Sequence, residues 1–120
     1  MPALFEKMWQ SQVWVLGTPV YWWGPSAQFK AFMDRWYAKS GEDYVALFEG
    51  RRVVLAIPLG DTDPATARHT VGMFVDALDY VNAELIATVL ATGVDEPGEV
   101  RQNADVMETA RQAGRQAVEK

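Results

Sequence analysis

Three adjacent aromatic residues form the part of this sequence that points most directly to chemistry. Tyr21, Trp22 and Trp23 follow a short apolar run and stop at Gly24-Pro25. Aromatic rings that lie outside a core make a flat, rigid surface, which suits either a planar ligand or a subunit interface. The residue types alone leave these two interpretations equally open.

Two later loops carry acidic residues and glycines that could also contact a ligand. Residues 58–63 read PLGDTD, and residues 92–98 read TGVDEPG. Grouped carboxylates can ligate Mg²⁺, but Asp63 before Pro64 is better explained as a helix cap. The spacing matches no metal motif, so we predict no metal site.

Several single polar residues have simpler structural explanations than catalysis. Ser26 precedes a helical pattern and is better explained as an N-cap than as a nucleophile or phosphate ligand. Lys30 and Asp34 stand four residues apart on that helix, as a surface ion pair would. The single histidine, His69, lies in a predicted helix and is expected to be solvated.

The composition excludes several classes of site. The 120 residues contain no cysteine, which removes disulfides, iron–sulfur clusters and thiol catalysis. One histidine makes a His-rich metal centre or a Ser-His-Asp triad hard to assemble. Eleven basic against sixteen acidic residues give a net charge of −5, which disfavours nucleic-acid binding.

Length and hydropathy predict one domain over residues 1–120. Glu6 and Lys7 interrupt the N-terminal stretch, so the pattern of a signal peptide is not met. The apolar runs are far shorter than the roughly 20 residues that a membrane-spanning helix needs. We therefore expect a soluble, cytoplasmic domain with neither nucleic-acid nor membrane partners.

Helical patterns alternate with short apolar runs that are typical of buried parallel strands. The predicted strands are Val13 to Leu16, Val53 to Ile57 and Leu85 to Leu90. The predicted helices cover residues 3–10, residues 27–37, a stretch from Asp63-Pro64 and a stretch from near Glu99 to the C-terminus, with a polar turn at Ser40 to Asp43. This order predicts a layered α/β sheet, with ligands outside the carboxyl ends of its strands.

The apolar positions of each helix predict the face that it buries. The predicted faces are Phe29, Phe32, Met33 and Trp36; then Ala67, Val71, Phe74, Val75 and Leu78; and last Val100, Ala104, Met107, Ala110, Gly114 and Ala117.

The segment TPVYWWGPSAQFKAFMDR, residues 18–35, resembles the region after the third strand in flavodoxin-like, NAD(P)H-dependent FMN reductases and quinone reductases. The PLGDTD loop and the GVDEPGEV stretch before the last helix resemble family members as well. The resemblance covers nearly the whole chain. It implies a three-layer flavodoxin-like parallel sheet whose strands correspond to the third, fourth and fifth of the family.

The resemblance also implies FMN as cofactor and NAD(P)H as co-substrate, and it assigns no catalytic side chain. The residues that it places beside the flavin are Thr18, Pro19, Val20, Tyr21, Trp22, Trp23 and Gly24 in the first loop and Pro58, Leu59, Gly60 and Asp61 in the second. A bound flavin performs hydride chemistry itself and leaves stacking and hydrogen bonding to the protein.

One part of the family pattern is missing from these residues. Family members begin with a strand and a Ser/Thr/Gly-rich turn that holds the FMN phosphate at a helix N-terminus. Without that strand, Val13 to Leu16 is an apolar edge with unpaired backbone groups. We expect either a homo-oligomer formed through this strand or a coding frame that continues upstream of Met1.

The predicted function is FMN-dependent transfer of electrons from NAD(P)H to a small acceptor such as a quinone or free flavin. The alternative is a non-catalytic, oligomerising flavodoxin-like module that has lost flavin binding together with the phosphate loop. A third interpretation is a protein-interaction domain in which Trp22 and Trp23 are anchors.

Overall fold

A computed structural model describes residues 2–38 and 44–119, and within these residues one parallel sheet organises the chain. Its strands lie in the order β1 (Val13–Gly17), β2 (Arg52–Pro58) and β3 (Glu84–Ala91). Both strand pairs are parallel. The predicted flavodoxin-like arrangement of three parallel strands is confirmed, and each strand extends by one residue at one or both ends.

Helices cover both faces of the sheet. The helices are α1 (Pro2–Gln10), α2 (Ala27–Ala38), α3 (Tyr44–Phe48), α4 (Arg68–Tyr80) and α5 (Ala104–Val118), with single 3₁₀ turns at Pro64–Ala67 and Glu99–Gln102. Successive strand residues point to opposite faces, so Val53 and Leu55 join the core under α1 to α4, whereas Val54 packs with α5. The three-layer prediction is therefore confirmed. The predicted polar turn at residues 40–43 lies outside the described residues.

Aromatic rings form much of the larger core. Phe32 packs edge-on against Phe29 and Trp36, and Phe29 packs in the same way against Phe74, with ring centroids 5.3 Å apart. Phe48 and Phe74 are completely buried. The prediction that the aromatic residues of α2 serve the core is confirmed, and their contacts fix α2 against α4.

Side-chain caps set the beginnings of three helical segments. The Ser26 Oγ accepts a hydrogen bond from the Phe29 N–H at 3.1 Å, and an Asp63 carboxylate oxygen accepts one from the Ala65 N–H at 2.9 Å. Both predicted caps are confirmed, as is the exposed Lys30–Asp34 ion pair. The last helix begins at Ala104 rather than near Glu99, because the Asn103 side chain caps it by accepting from the Val106 N–H.

The predicted buried face of α4 is wrong at one position. Val75 is 45% exposed, whereas Thr70, a polar residue, is fully buried beside Phe74 and Leu78. Positions 70, 74 and 78 share one helical face, and the Thr70 hydroxyl has a hydrogen-bond acceptor there. Relative to the predicted orientation, α4 is therefore rotated so that Thr70 faces the core and Val75 faces solvent.

The predicted face of the last helix is wrong at several positions. Ala104, Ala110 and Gly114 are exposed. Val106 and Ala113, which the pattern did not include, pack against the sheet together with Ala117, which it predicted correctly. Small apolar residues occur on several sides of α5, so their spacing does not single out one face.

The described helices include none with the length and apolar character that crossing a bilayer demands.

Candidate ligand site at the carboxyl edge of the sheet

Three loops meet at the edge where the parallel strands end, and they follow β1 (residues 18–26), β2 (residues 58–63) and β3 (residues 92–98). We call them the first, second and third loops. The Thr18 N–H donates to the Ala56 carbonyl at 3.2 Å, and the Leu59 N–H donates to the Ala91 carbonyl at 2.9 Å. The sheet's hydrogen bonding thus continues into the loops and holds them side by side.

The first loop contains a tight two-residue turn, Tyr21 to Gly24, which we call the aromatic turn. The Tyr21 N–H donates to the Gly24 carbonyl at 2.8 Å, and the Gly24 N–H donates back at 3.1 Å. Its central residues, Trp22 and Trp23, have φ angles of 50° and 63°. Left-handed backbone at a residue other than glycine costs on the order of 1–3 kcal/mol and is characteristic of functional sites.

Burial of the Trp22 indole contributes little to offset this strain, and the Trp23 indole is only about half buried. Trp22 is 90% exposed and Trp23 is 49% exposed, with ring centroids 6.0 Å apart and planes tilted by 47°. Tyr21 beside them is 61% exposed. The aromatic turn therefore presents three rings to solvent at the edge where α/β sheets bind ligands.

Buried hydroxyl groups hold the two sides of the first loop. The Thr18 Oγ1 accepts from the Ser26 N–H at 2.9 Å and donates to the Pro19 carbonyl at 3.0 Å. From α4, the Thr70 Oγ1 donates to the Trp23 carbonyl at 3.4 Å. Thr18 is buried, so it supports the loop rather than offering a free surface.

The other residues that the resemblance places beside the flavin differ in their exposure to solvent. Pro19, Val20 and Gly24 are half-buried, and Val20 packs against the core. In the second loop, Pro58 and Gly60 are exposed. Leu59 is buried, and its carbonyl accepts from the Val94 N–H, so its polar backbone groups serve the loop–loop contact.

Asp61 directs its carboxylate into its own loop. One oxygen accepts from the Asp63 N–H at 3.0 Å, and the other accepts from the Thr66 hydroxyl at 2.7 Å. The Asp63 N–H is the largest cause that lowers the Asp61 pKa below its usual value, and the Thr66 hydroxyl adds to it. Asp61 thus remains ionised at neutral pH and orders the second loop.

Asp95 of the third loop lies directly against Gly60 of the second loop, a pairing that the sequence analysis did not predict. A Cβ added at Gly60 would lie 2.8 Å from the Asp95 Oδ1, so the second loop needs a glycine beneath this carboxylate. The available signal was topological, because both residues directly follow neighbouring parallel strands.

The donor set of this edge fits a planar ring better than a phosphate. Within residues 2–38 and 44–119, the backbone N–H groups of Trp22, Trp23 and Gly60 have no hydrogen-bond partner. The three loops contain no lysine, arginine or histidine, and the second and third contribute Asp61, Asp63, Asp95 and Glu96. Flat rings, free amides and acidic loops favour a ligand with a neutral aromatic ring that accepts hydrogen bonds.

Comparison with known proteins gives this arrangement a family. Residues 2–117 match the protein family described as having a flavodoxin-like fold. The chain belongs to that family. The sequence-based assignment to flavodoxin-like proteins is therefore confirmed.

A curated relative of this flavodoxin-like chain is an FMN-dependent NADH:quinone oxidoreductase from Gluconacetobacter diazotrophicus. The two are 28% identical over an alignment of 121 positions, which covers 92% of this chain and 59% of the relative. The chain thus spans about three fifths of that relative's length.

Solved structures share the flavodoxin-like fold at low identity. The Trp repressor binding protein from Bacillus subtilis matches with a TM-score of 0.81 and 19% identity, over 95% of this chain and 68% of that one. An FMN-dependent NADH-azoreductase from Bacillus anthracis, solved with FMN, matches with a TM-score of 0.65 and 21% identity, over 97% and 63%. At these identities the likeness supports the fold.

Proposed function

We propose that this flavodoxin-like chain binds the ring of FMN at the aromatic turn, as part of an oxidoreductase that passes electrons from NAD(P)H to a small acceptor such as a quinone or flavin. The observation that carries the proposal is the strained aromatic turn with two exposed indoles at the carboxyl edge. The names of the curated relative and of the azoreductase support it, since both are described as FMN-dependent.

In this proposal, Tyr21, Trp22 and Trp23 stack against or border the ring, and the exposed part of the second loop lies across from them. The free amides of Trp22, Trp23 and Gly60 donate to acceptor atoms at the ring edge. When bound, FMN supplies the hydride chemistry. The chain's own contribution is to bind and orient the ring and to exclude water from one side of it.

The proposal concerns the ring, because the three loops provide no cation for the phosphate. Charge-assisted hydrogen bonds from cations are a strong source of phosphate affinity. We therefore propose that the phosphate contributes little to binding by these loops, and that Thr18, Leu59 and Asp61 support the site rather than contact the ring with their side chains.

An FMN titration of the purified chain tests this function. Saturable quenching of tryptophan fluorescence at micromolar FMN, with a shifted flavin absorption band, is expected, because the indoles lie at the proposed ring site. Riboflavin, which has the same ring without the phosphate, should bind with similar affinity. Absence of saturation with either compound would contradict the proposed function.

The alternative, a non-catalytic oligomerising module, draws support from the open edge of β1. Within the described residues, β1 pairs with β2 along one side only. Val15 on this strand is 68% exposed, and a groove of about 360 Å³ runs beside the strand between α1 and α2. An apolar strand edge of this kind is a template for pairing with another chain.

We propose that a second copy of the chain covers this edge whether or not flavin binds. Light scattering at micromolar concentration should give a dimer or larger assembly for the wild type and a monomer for Val15→Lys, because a charge there opposes burial of the edge. Val75→Lys, at an exposed position of α4, is the matched control and should leave the assembly unchanged. A monodisperse wild-type monomer would contradict the proposal.

A further inference from the structure

The aromatic turn needs an external support for its backbone conformation. Two consecutive non-glycine residues have left-handed backbone, and the first of them, Trp22, is 90% exposed. Such strain persists only where the surrounding structure enforces it. Side-chain burial at Trp22 supplies almost none of that support, so the hydrogen bonds of the turn's backbone groups matter.

We propose that Thr70 is a positioning residue that holds the aromatic turn through the Trp23 carbonyl. Its Oγ1 donates to that carbonyl at 3.4 Å, across 47 positions of sequence. Thr70 itself is completely buried in the first turn of α4. The effect on flavin binding rests on the function proposed above, whereas the effect on the turn does not.

The hydrogen-bond acceptor of Thr70 differs from that of an ordinary threonine within a helix. A threonine within a helix commonly bonds the carbonyl four residues earlier in its own helix. The Thr70 hydroxyl instead donates to a carbonyl of the first loop. Its single proton is thus used between α4 and the aromatic turn.

The local structure before α4 explains how Thr70 reaches this position. Asp63 caps the 3₁₀ turn Pro64–Ala67, and α4 begins directly after it at Arg68. The same helical face carries Phe74 into the core, where its ring meets Phe29 of α2. α4 is therefore anchored by packing, and Thr70 transmits that fixed position to the loop.

The other side of the loop has an independent support, which allows a selective test. Thr18 and Ser26 bond to each other at the base of the first loop without involving the turn's central residues. Loss of the Thr70 hydroxyl should consequently free the aromatic turn and leave the Thr18–Ser26 contact intact. Loss of a hydrogen bond between neutral groups corresponds to about a three- to fivefold change in an opening equilibrium.

The test compares Thr70→Val, which removes the hydroxyl but keeps the shape, with Thr70→Ser, which keeps the hydroxyl. Amide hydrogen exchange of Tyr21 and Gly24 should be about three to five times faster in Thr70→Val than in the wild type, and unchanged at Ser26. Thr70→Ser should restore the wild-type rates. The FMN dissociation constant should rise by a similar factor in Thr70→Val only.

The possible outcomes separate the two proposals. Unchanged exchange at Tyr21 and Gly24 in Thr70→Val would overturn the positioning role. Faster exchange in a protein that never binds FMN would retain that role and refute the proposed function. If Thr70→Val does not fold, the wild type should show a protected Thr70 hydroxyl proton with a nuclear Overhauser contact to the Gly24 α-protons, and its absence would overturn the inference.

Discussion

Replacing Phe74 with alanine is expected to lower the free energy of unfolding by about 3–5 kcal/mol, the usual cost of a large cavity in a well-packed core. Phe74 is completely buried, and its ring lies edge-on to Phe29 with centroids 5.3 Å apart. The substitution removes the ring contact between α4 and α2 and leaves a cavity in the larger core. Urea denaturation with an unchanged m-value would measure the loss.

Val75→Ala is the matched control for this variant, because it truncates the next residue of the same helix. Val75 is exposed, so its removal should change the free energy of unfolding by no more than about 0.5 kcal/mol. Similar losses for the two variants would show that α4 is not rotated as the structure describes.

Replacing both Trp22 and Trp23 with alanine is expected to weaken FMN binding by about 10- to 100-fold. Stacking of an aromatic side chain on a heterocyclic base contributes about 1–3 kcal/mol, and each 1.4 kcal/mol is a factor of ten in affinity. Both indoles are largely outside the core, so the variant should still fold. The dissociation constant can be followed through the flavin absorption band, which does not depend on tryptophan emission.

Trp9→Ala provides the control for general effects of tryptophan loss. Trp9 is an exposed tryptophan of α1 that lies beside the Arg51 guanidinium. Its removal should leave FMN affinity unchanged and cost a small amount of stability through the lost cation–π contact. Equal weakening of FMN binding by Trp9→Ala would place the ring away from the aromatic turn.

The parts of the fold that were predictable from sequence are those in which local pattern and global packing agree. Strands buried on both faces carry continuous apolar runs, so Val53 to Ile57 was recognisable within a residue at each end. Asp63-Pro64 combines a cap with a residue that favours the first helical position. Each of these signals depends only on residues close in sequence.

The orientation of two helices was less predictable, because their residue types do not mark a single face. On α5, alanines occur at both buried and exposed positions, as Ala113 and Ala110 show. On α4, a threonine takes the core position that a valine was expected to share. Burial of Thr70 depends on the carbonyl of Trp23, which is distant in sequence. The periodicity of apolar residues within a helix contains no information about such a contact.

The candidate site shows the same division. The aromatic loop was identifiable from its residue types, but its left-handed turn was not, since such turns usually contain asparagine or glycine. The pairing of Gly60 with Asp95 arises because two strands end side by side. Contacts between loops are set by strand order, and the local sequence carries little record of them.

The parallel order of the strands also affects how the chain reaches its native state. Val13 pairs with Arg52, and Arg52 pairs with Glu84, so within the described residues the sheet contains no hairpin that could form early. Non-local pairing of this kind slows folding and prolongs exposure of unpaired strands. During synthesis, β1 emerges with its apolar side chains well before β2 is available. The time between synthesis of β1 and synthesis of β2, rather than the stability of the finished sheet, therefore determines how long the unpaired strand β1 can aggregate.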